Sequence, residues 1–280
     1  MVSVLILTKN EAQDLPGCIA SVAWSDDIHV LDSYSTDATV AIAQTAGATV
    51  SQRPFDNYAA HRNFGFGLPF RYPWLFILDA DERPSPALSA ELQGAAAANP
   101  EPWSEGQPAG FRLRRRDFLF DTWLKHAQLS PLYIRLVRPE RSRYTREINE
   151  VLEVDGPILD LAAPLDHFPF SKGFAHWVAK HNLYSTMEAE LIHAQTGLAN
   201  PSLRTALRHP DFHTRRLHQK AIFYKLPARP LVKWTYMMFL RGALLDGPAG
   251  WTYSTLASFY EYLITIKTKE LQLRDKRPLS

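Results

Sequence analysis

The sequence predicts an α/β fold: a mostly parallel sheet flanked by helices, followed by a helical C-terminal extension. Three observations carry this. Short apolar runs alternate with helical spacing through residues 1–92, the pattern of strands paired in parallel through helical crossovers. The runs end in acids, with Asp32 after Ile28 to Leu31, and Asp79 and Asp81 after Trp74 to Leu78. From Lys172 onward strand patterns give way to helical ones. The first domain therefore spans 1–170, with one half over 1–92 and a second over 110–170, and the helical extension covers 171–280.

The elements follow in order. Val2 to Leu7 is apolar and partly β-branched, a first strand closed by Thr8-Lys-Asn-Glu11. Leu15, Ile19 and Val22 share one face of a helix. Ile28 to Leu31 is the second strand, and Ser33 to Asp37 supplies capping residues for a helix running to Ala46, with Gly47 past its end. Thr49 to Ser51 is a short strand, Tyr58 to Phe66 a helix, and Trp74 to Leu78 a strand buried on both faces. Ala87 to Ala98 is helical, and Gly110 to Leu113 and Tyr133 to Val137 are strands. Val151 to Val154 and Ile158 to Leu161 read as a hairpin about Asp155-Gly156.

Composition sets outer limits. With 46% hydrophobic and 21% charged residues the chain is an ordinary globular one. A net charge of +2 argues against a dedicated nucleic-acid binder, although arginines cluster at 112–116, 135–146 and 204–216. Cys18 is the only cysteine, so there is no disulfide framework or thiolate metal site. No apolar run is long enough to span a bilayer and the N-terminus reads as a strand, which points to a cytoplasmic protein.

Ligands of parallel α/β sheets bind beyond the carboxyl ends of the strands. Those ends carry Thr8, Asn10, Glu11, Asp32, Asp79 and Asp81. Asp79 and Asp81, two apart, lie on one side of an extended chain and suit a divalent cation. Neither G-x-G-x-x-G nor G-x-x-x-x-G-K-[ST] is present, which disfavours a dinucleotide-binding Rossmann domain and excludes a P-loop. A nucleotide diphosphate neutralised by a cation remains compatible with the acids.

Val4-Leu-Ile-Leu-Thr-Lys-Asn-Glu11, Leu31-Asp-Ser-Tyr-Ser-Thr-Asp-Ala-Thr39, His61-Arg-Asn63 and Leu78-Asp-Ala-Asp-Glu-Arg83 occur in one order and spacing. Together they resemble family 2 glycosyltransferases of the GT-A fold, in the flavour that extends the inner core of bacterial lipopolysaccharide in the cell envelope. The match is dense over 1–92 and looser at Glu147 to Glu153, His167 to Met187, Gly242 to Gly250 and Tyr260 to Glu270.

The resemblance implies a metal-dependent, inverting transfer of a hexose from a UDP-sugar to a saccharide or lipid-linked acceptor, with Mg²⁺ or Mn²⁺ as cofactor. It implies that Asp32 contacts uracil or ribose, that Arg62 supports the nucleotide or its phosphates, and that Thr8, Asn10 and Glu11 line the cleft. Asp79 and Asp81 become a D-x-D motif with Asp81 the direct ligand, His167 completes the metal or diphosphate site, and Glu150 is the general base, with Asp117 and Asp121 in reserve. Three residues depart from the family: Tyr34 stands in place of a usual Gly, His61 in place of Gln, and Asn149 in place of His. Tyr resists the positive φ that Gly permits, so the loop after Asp32 is expected to differ.

The acceptor side is expected to use Asp117, Asp121 and Trp123, where acids meet aromatics, although a packed loop fits the same residues. The stretch from Leu231 to Leu245 places Trp234, Tyr236, Met237, Met238 and Phe239 beside Lys233 and Arg241. It fits a core helix or a helix lying at a membrane interface, which would make the protein peripheral at the inner face of a membrane. Trp251 to Leu273 reads as a last helix, with Tyr253, Leu256, Phe259 or Tyr260, and Leu263 at helical spacing. Two rivals share the acidic site: a nucleotidyltransferase making sugar nucleotides, and a non-catalytic nucleotide-sugar binder.

Overall fold

The computed structural model describes residues 1–100, 103–145, 151–194, 200, 202–210 and 212–275. The chain forms two compact units, residues 1–118 with 130–171, and residues 119–129 with 172–280. One break between the units falls after residue 171, and the segment 119–129 belongs to the second unit.

The first unit opens with β1 (Ser3–Thr8), α1 (Leu15–Ser21), β2 (Ile28–Asp32), α2 (Thr39–Thr45), β3 (Thr49–Gln52), α3 (Tyr58–Phe66) and β4 (Leu75–Asp79). β5 (Glu82–Pro84), α4 (Pro86–Ala98) and β6 (Gly110–Leu119) follow, and after β6 the chain turns into β7 (Thr122–Trp123). β8 (Leu132–Val137), β9 (Ser142–Thr145), β10 (Val151–Val154), β11 (Ile158–Asp160) and β12 (Leu165–His167) complete the set. The main sheet runs β3-β2-β1-β4-β8-β6-β12-β5. Its first four strands are all parallel, whereas β8 is antiparallel to both β4 and β6, and β12 is antiparallel to β5. The sheet is thus parallel where the motifs of residues 1–92 lie and mixed beyond them.

The parallel half is apolar on both faces. Val4, Ile6, Trp74, Phe76 and Leu78 pack with Leu15, Ile19 and Leu88 on one side, and Leu5, Leu31, Leu75 and Ile77 form a second cluster. Local caps set the helices: the Asn57 side chain accepts from Ala60 N at 2.8 Å, and Ser85 Oγ accepts from Leu88 N at 3.2 Å ahead of Pro86.

The hairpin expected about Asp155-Gly156 does not form. β10 pairs instead with β9, and β11 pairs in parallel with β6. Arg141 is the physical reason: its carbonyl accepts from Asp155 N at 2.8 Å and its guanidinium grips the Asp155 carboxylate, while Pro157 O accepts from Ala109 N at 2.8 Å. The chain bends at Asp155 and Gly156 and passes on to pair with β6 rather than β10. β6 also extends beyond the expected Leu113 to Leu119, and turns at Phe120 and Asp121, with φ of 50° and 57°.

The second unit comprises α5 (Gly173–His193), α6 (Leu203–Arg208), α7 (Phe212–Phe223), α8 (Arg229–Thr235), a π-helical turn Tyr236–Leu240, a 3₁₀ turn Ala243–Asp246 and α9 (Gly247–Asp275). The buried face of α9 carries Gly250, Ser254, Glu261, Ile264 and Thr268. Small residues there let α9 approach its neighbours closely. Lys267 Nζ, from α9, donates to Asn182 O at 2.6 Å and to Ser185 Oγ and Thr186 Oγ1 at 2.8 Å, all on α5. The segment 119–129 is fastened to this unit by Asp246, whose carboxylate accepts from Ala127 N at 2.7 Å, His126 N at 2.9 Å and His126 Nδ1 at 2.7 Å.

Candidate active site

The loops after β1 and β2 are laced into one rim. Asn10, at φ 54°, accepts at Oδ1 from Thr36 N at 2.8 Å, and Asn10 N donates to Ser35 Oγ at 2.7 Å. Lys9 Nζ caps the Ser33 and Tyr34 carbonyls at 2.7 Å each, and Glu11 N donates to Thr39 Oγ1 at 2.8 Å. Tyr34 sits at φ 55°. The loop therefore keeps the left-handed conformation for which Gly is suited, contrary to the expected change, because these bonds over-determine it.

Asp32 lies deeper than expected. Its carboxylate is fully buried and accepts from Thr8 Oγ1 at 3.0 Å, Ser35 Oγ at 2.5 Å, Ser35 N at 2.8 Å and Gln52 Nε2 at 3.0 Å. Burial pushes its pKa up, but the Ser35, Gln52 and Thr8 donors outweigh this and hold it below the usual carboxylate range. All four lone-pair positions are engaged, so the side chain as it stands ties three strand ends together. Direct contact with a base or ribose requires an exchange of the Ser35 or Gln52 donor.

At the end of β4 the two acids of the D-x-D motif part company. The rule that i and i+2 share a side applies to an extended chain, but Ala80 and Asp81 form a turn. Asp79 accepts from Arg62 Nη2 at 2.9 Å and Arg135 Nη2 at 3.3 Å. Burial pushes the Asp79 carboxyl up, and the two guanidinium groups more than reverse this, holding it well below the usual range. Asp81 instead faces His167, with Oδ2 3.3 Å from Nε2. The opposite ring nitrogen of His167 bonds Asp117 Oδ1 at 2.5 Å.

Behind this pair lies a charge network that pattern reading did not single out. Glu82 is fully buried, accepts from Arg135 Nη2 at 2.5 Å and lies 3.5 Å from Arg115 Nη1; its other oxygen accepts from Asp79 N at 3.0 Å. Burial, with Asp79 nearby, pushes the Glu82 pKa up despite Arg135. Arg115 Nε reaches Asp117 Oδ1 at 3.2 Å. A charged residue inside the apolar run Leu132 to Val137 was the available signal for Arg135, and three successive arginines ahead of Asp117 for Arg115.

His167 lies between two carboxylates. Burial lowers its pKa, but bonds to Asp117 and Asp81 raise it to about 9. Asp117 behind the ring fixes which nitrogen faces Asp81, the carboxylate–histidine arrangement of metal sites. Asp117 Oδ2 is buried with no hydrogen-bond partner among the described residues, keeping negative charge close by. Among the described residues no group of three His, Cys, Asp or Glu side chains surrounds one point. Asp117, expected on the acceptor side, is committed to His167 in the first unit, while Asp121 and Trp123 belong to the second. Glu150 and Asn149 lie outside the described residues. His61 is buried and bonds Ser33 Oγ at 3.2 Å.

Residues 3–133 match the model of Glycosyl transferase family 2. Over this stretch, just under half of its length, the chain is similar to family 2 glycosyltransferases. Over 99% of its length the chain is 26% identical to a lipopolysaccharide core biosynthesis glycosyltransferase, LpsC, of Rhizobium meliloti, covering 94% of that protein. It is 40% identical over 93 residues to an uncharacterized glycosyltransferase of Rickettsia felis, which is 33% of this chain and 32% of that one. Among solved structures, glucosyl-3-phosphoglycerate synthase of Mycobacterium tuberculosis, in complex with Mn²⁺, UDP and glucosyl-3-phosphoglycerate, is 22% identical over 41% of this chain and 44% of that one, at a TM-score of 0.34. That likeness is too distant to assign a ligand. The Rhizobium and Rickettsia relatives it matches are named as glycosyltransferases.

Proposed function

We propose that this protein is a glycosyltransferase that performs an inverting, metal-dependent transfer of a hexose from a UDP-sugar to a saccharide or lipid-linked acceptor of the cell envelope. The observation that carries the reading is the Asp117–His167–Asp81 relay at the end of β4, with His167 Nε2 3.3 Å from Asp81 Oδ2. Asp81 and His167 would hold Mg²⁺ or Mn²⁺, and a bound cation there supplies charge neutralisation for a departing diphosphate.

The chain's own residues do the rest. Arg62 and Arg135 keep Asp79 ionised, so the site retains its negative charge near neutral pH. Thr8, Asn10 and Glu11 build the rim that orders the nucleotide-side loops. In the single displacement the acceptor hydroxyl oxygen bonds to the anomeric carbon as its bond to the diphosphate breaks, UDP leaving with the electron pair. The hydroxyl proton passes to a carboxylate, which we assign to Glu150 from its position in the family pattern.

UDP release in the presence of a saccharide panel, with anomeric configuration read by NMR, tests the reaction. Inversion, with Glu150→Gln lowering kcat at least about a hundredfold while the UDP-sugar Kd is kept, is the expected result. Retention of configuration, or an unimpaired Glu150→Gln enzyme, contradicts it. A nucleotidyltransferase would instead release pyrophosphate from a nucleoside triphosphate.

A further inference from the structure

The stretch Leu231 to Leu245 is not core. Met237 and Met238 are buried, but Leu231 is 64% exposed, Phe239 62%, Leu240 80% and Leu245 76%. Trp251, 51% exposed, joins them through Trp234: the Trp234 ring lies 5.1 Å from that of Trp251 and 6.1 Å from that of Phe239. Outward-facing leucines at this density, beside aromatic rings with one polar edge, are costly in water and are the composition of an interfacial helix. No helix among the described residues is long and apolar enough to cross a membrane, so the face would lie on a bilayer rather than span it.

Charge decides the occupant. The second unit holds 17 Lys and Arg against 8 Asp and Glu, a net +9, whereas the first holds 14 against 21, a net −7. The nearly neutral whole chain conceals this separation. Two cations, Lys233 and Arg241, lie within the apolar stretch, and burial together with the positive charges of Arg241 and Arg216, only partly offset by Glu261, holds the Lys233 ammonium below the usual lysine range. No acid pairs with Arg241 among the described residues, and its Nε and Nη2 are buried without an acceptor. A second copy of so basic a unit would be repelled, whereas a surface of lipid phosphates would be attracted.

We propose that Leu231 to Leu245, with Trp251, is a docking surface for an anionic lipid bilayer, the apolar side chains entering the headgroup–acyl boundary and the net positive charge of the unit drawing it to the lipid phosphates. The proposal deepens the lipid-linked reading of the acceptor but does not depend on transfer, since binding is read without donor or acceptor.

The test is sedimentation of the full chain with phosphatidylglycerol-containing vesicles and with pure phosphatidylcholine vesicles, at low and high salt. Binding to the anionic vesicles, weakened by salt and reduced at least about tenfold in a Leu240→Asp/Leu245→Asp variant, is the expected result. Both positions are largely exposed, so circular dichroism of the variant should match the parent. A chain that ignores anionic vesicles, or a variant that binds them equally, overturns the proposal. So does ultracentrifugation showing a dimer that the variant abolishes, which would make a second copy the occupant. Thermal shift with a UDP-sugar separates the two readings: loss of vesicle binding with that shift retained removes only the surface, and the converse removes only the donor site.

Discussion

Arg135 shows how one buried side chain governs the site. It bonds both Asp79 and Glu82, and its own pKa is raised because those carboxylates outweigh the cost of burial. Arg135→Leu would leave Glu82 buried beside Asp79 with one fewer cation. We expect it to cost about 3–5 kcal/mol in urea unfolding, the cost of orphaning a buried charge. Asp117→Asn keeps the shape behind His167 but removes the charge. It should weaken Mn²⁺ affinity about 10–100-fold, read by the electron paramagnetic resonance of free Mn²⁺. Tyr34 is a second kind of residue, strained by its φ of 55°. Tyr34→Gly exchanges about 1–2 kcal/mol of left-handed strain for about 0.5–1 kcal/mol of chain entropy, so a small gain in stability is expected. A loss exceeding experimental error would mean that the phenol ring holds the loop. Both acids of the motif were legible in the sequence, but their different partners were not, because Arg62, Arg135 and His167 arrive from elements distant in the chain.

At the level of elements, local signals were read where they act locally. Tyr58–Phe66 appeared with its expected bounds because Asn57 caps it, and β4 was legible as an apolar run buried on both faces. Asp155-Gly156 misled, because a strong turn dipeptide says nothing about Arg141 or about the free edge of β6 that captures β11. The last helix was read by its aromatics, yet its inner face is small and polar. Gly250 explains why: a Cβ there would lie 2.0 Å from Ala243 O, a backbone atom that cannot move aside. Gly250→Ala should destabilise the second unit by about 3 kcal/mol or more, seen as an early transition in thermal unfolding. In the first unit, Asp27 accepts from Ser3 Oγ at 2.5 Å and Arg71 N at 2.7 Å. Burial raises its pKa, and these donors bring it below the usual value. The contribution is therefore complete above the unfolded carboxyl pKa of about 3.9 and is lost as pH falls through the lower folded value. Asp27→Asn should flatten that acid limb, and an unchanged acid profile would remove Asp27 from the account.

Across the whole molecule, an acidic unit that matches the family 2 model over residues 3–133 is joined to a basic helical unit with an exposed apolar face. Family motifs make the first legible without a structure. The second is recognisable only when exposure distinguishes Phe239 and Leu240 from Met237 and Met238, since all four look alike in the sequence. The central claim is that the first unit binds a UDP-sugar through a cation held at Asp81 and His167. Thermal shift of the full chain with a panel of UDP- and GDP-sugars, with and without Mn²⁺, tests it most directly, because a ligand that binds only the native state raises the transition. The account predicts a shift with a UDP-sugar that requires Mn²⁺ and disappears in Asp81→Ala. No metal-dependent shift with any donor, or an undiminished one in Asp81→Ala, would contradict it.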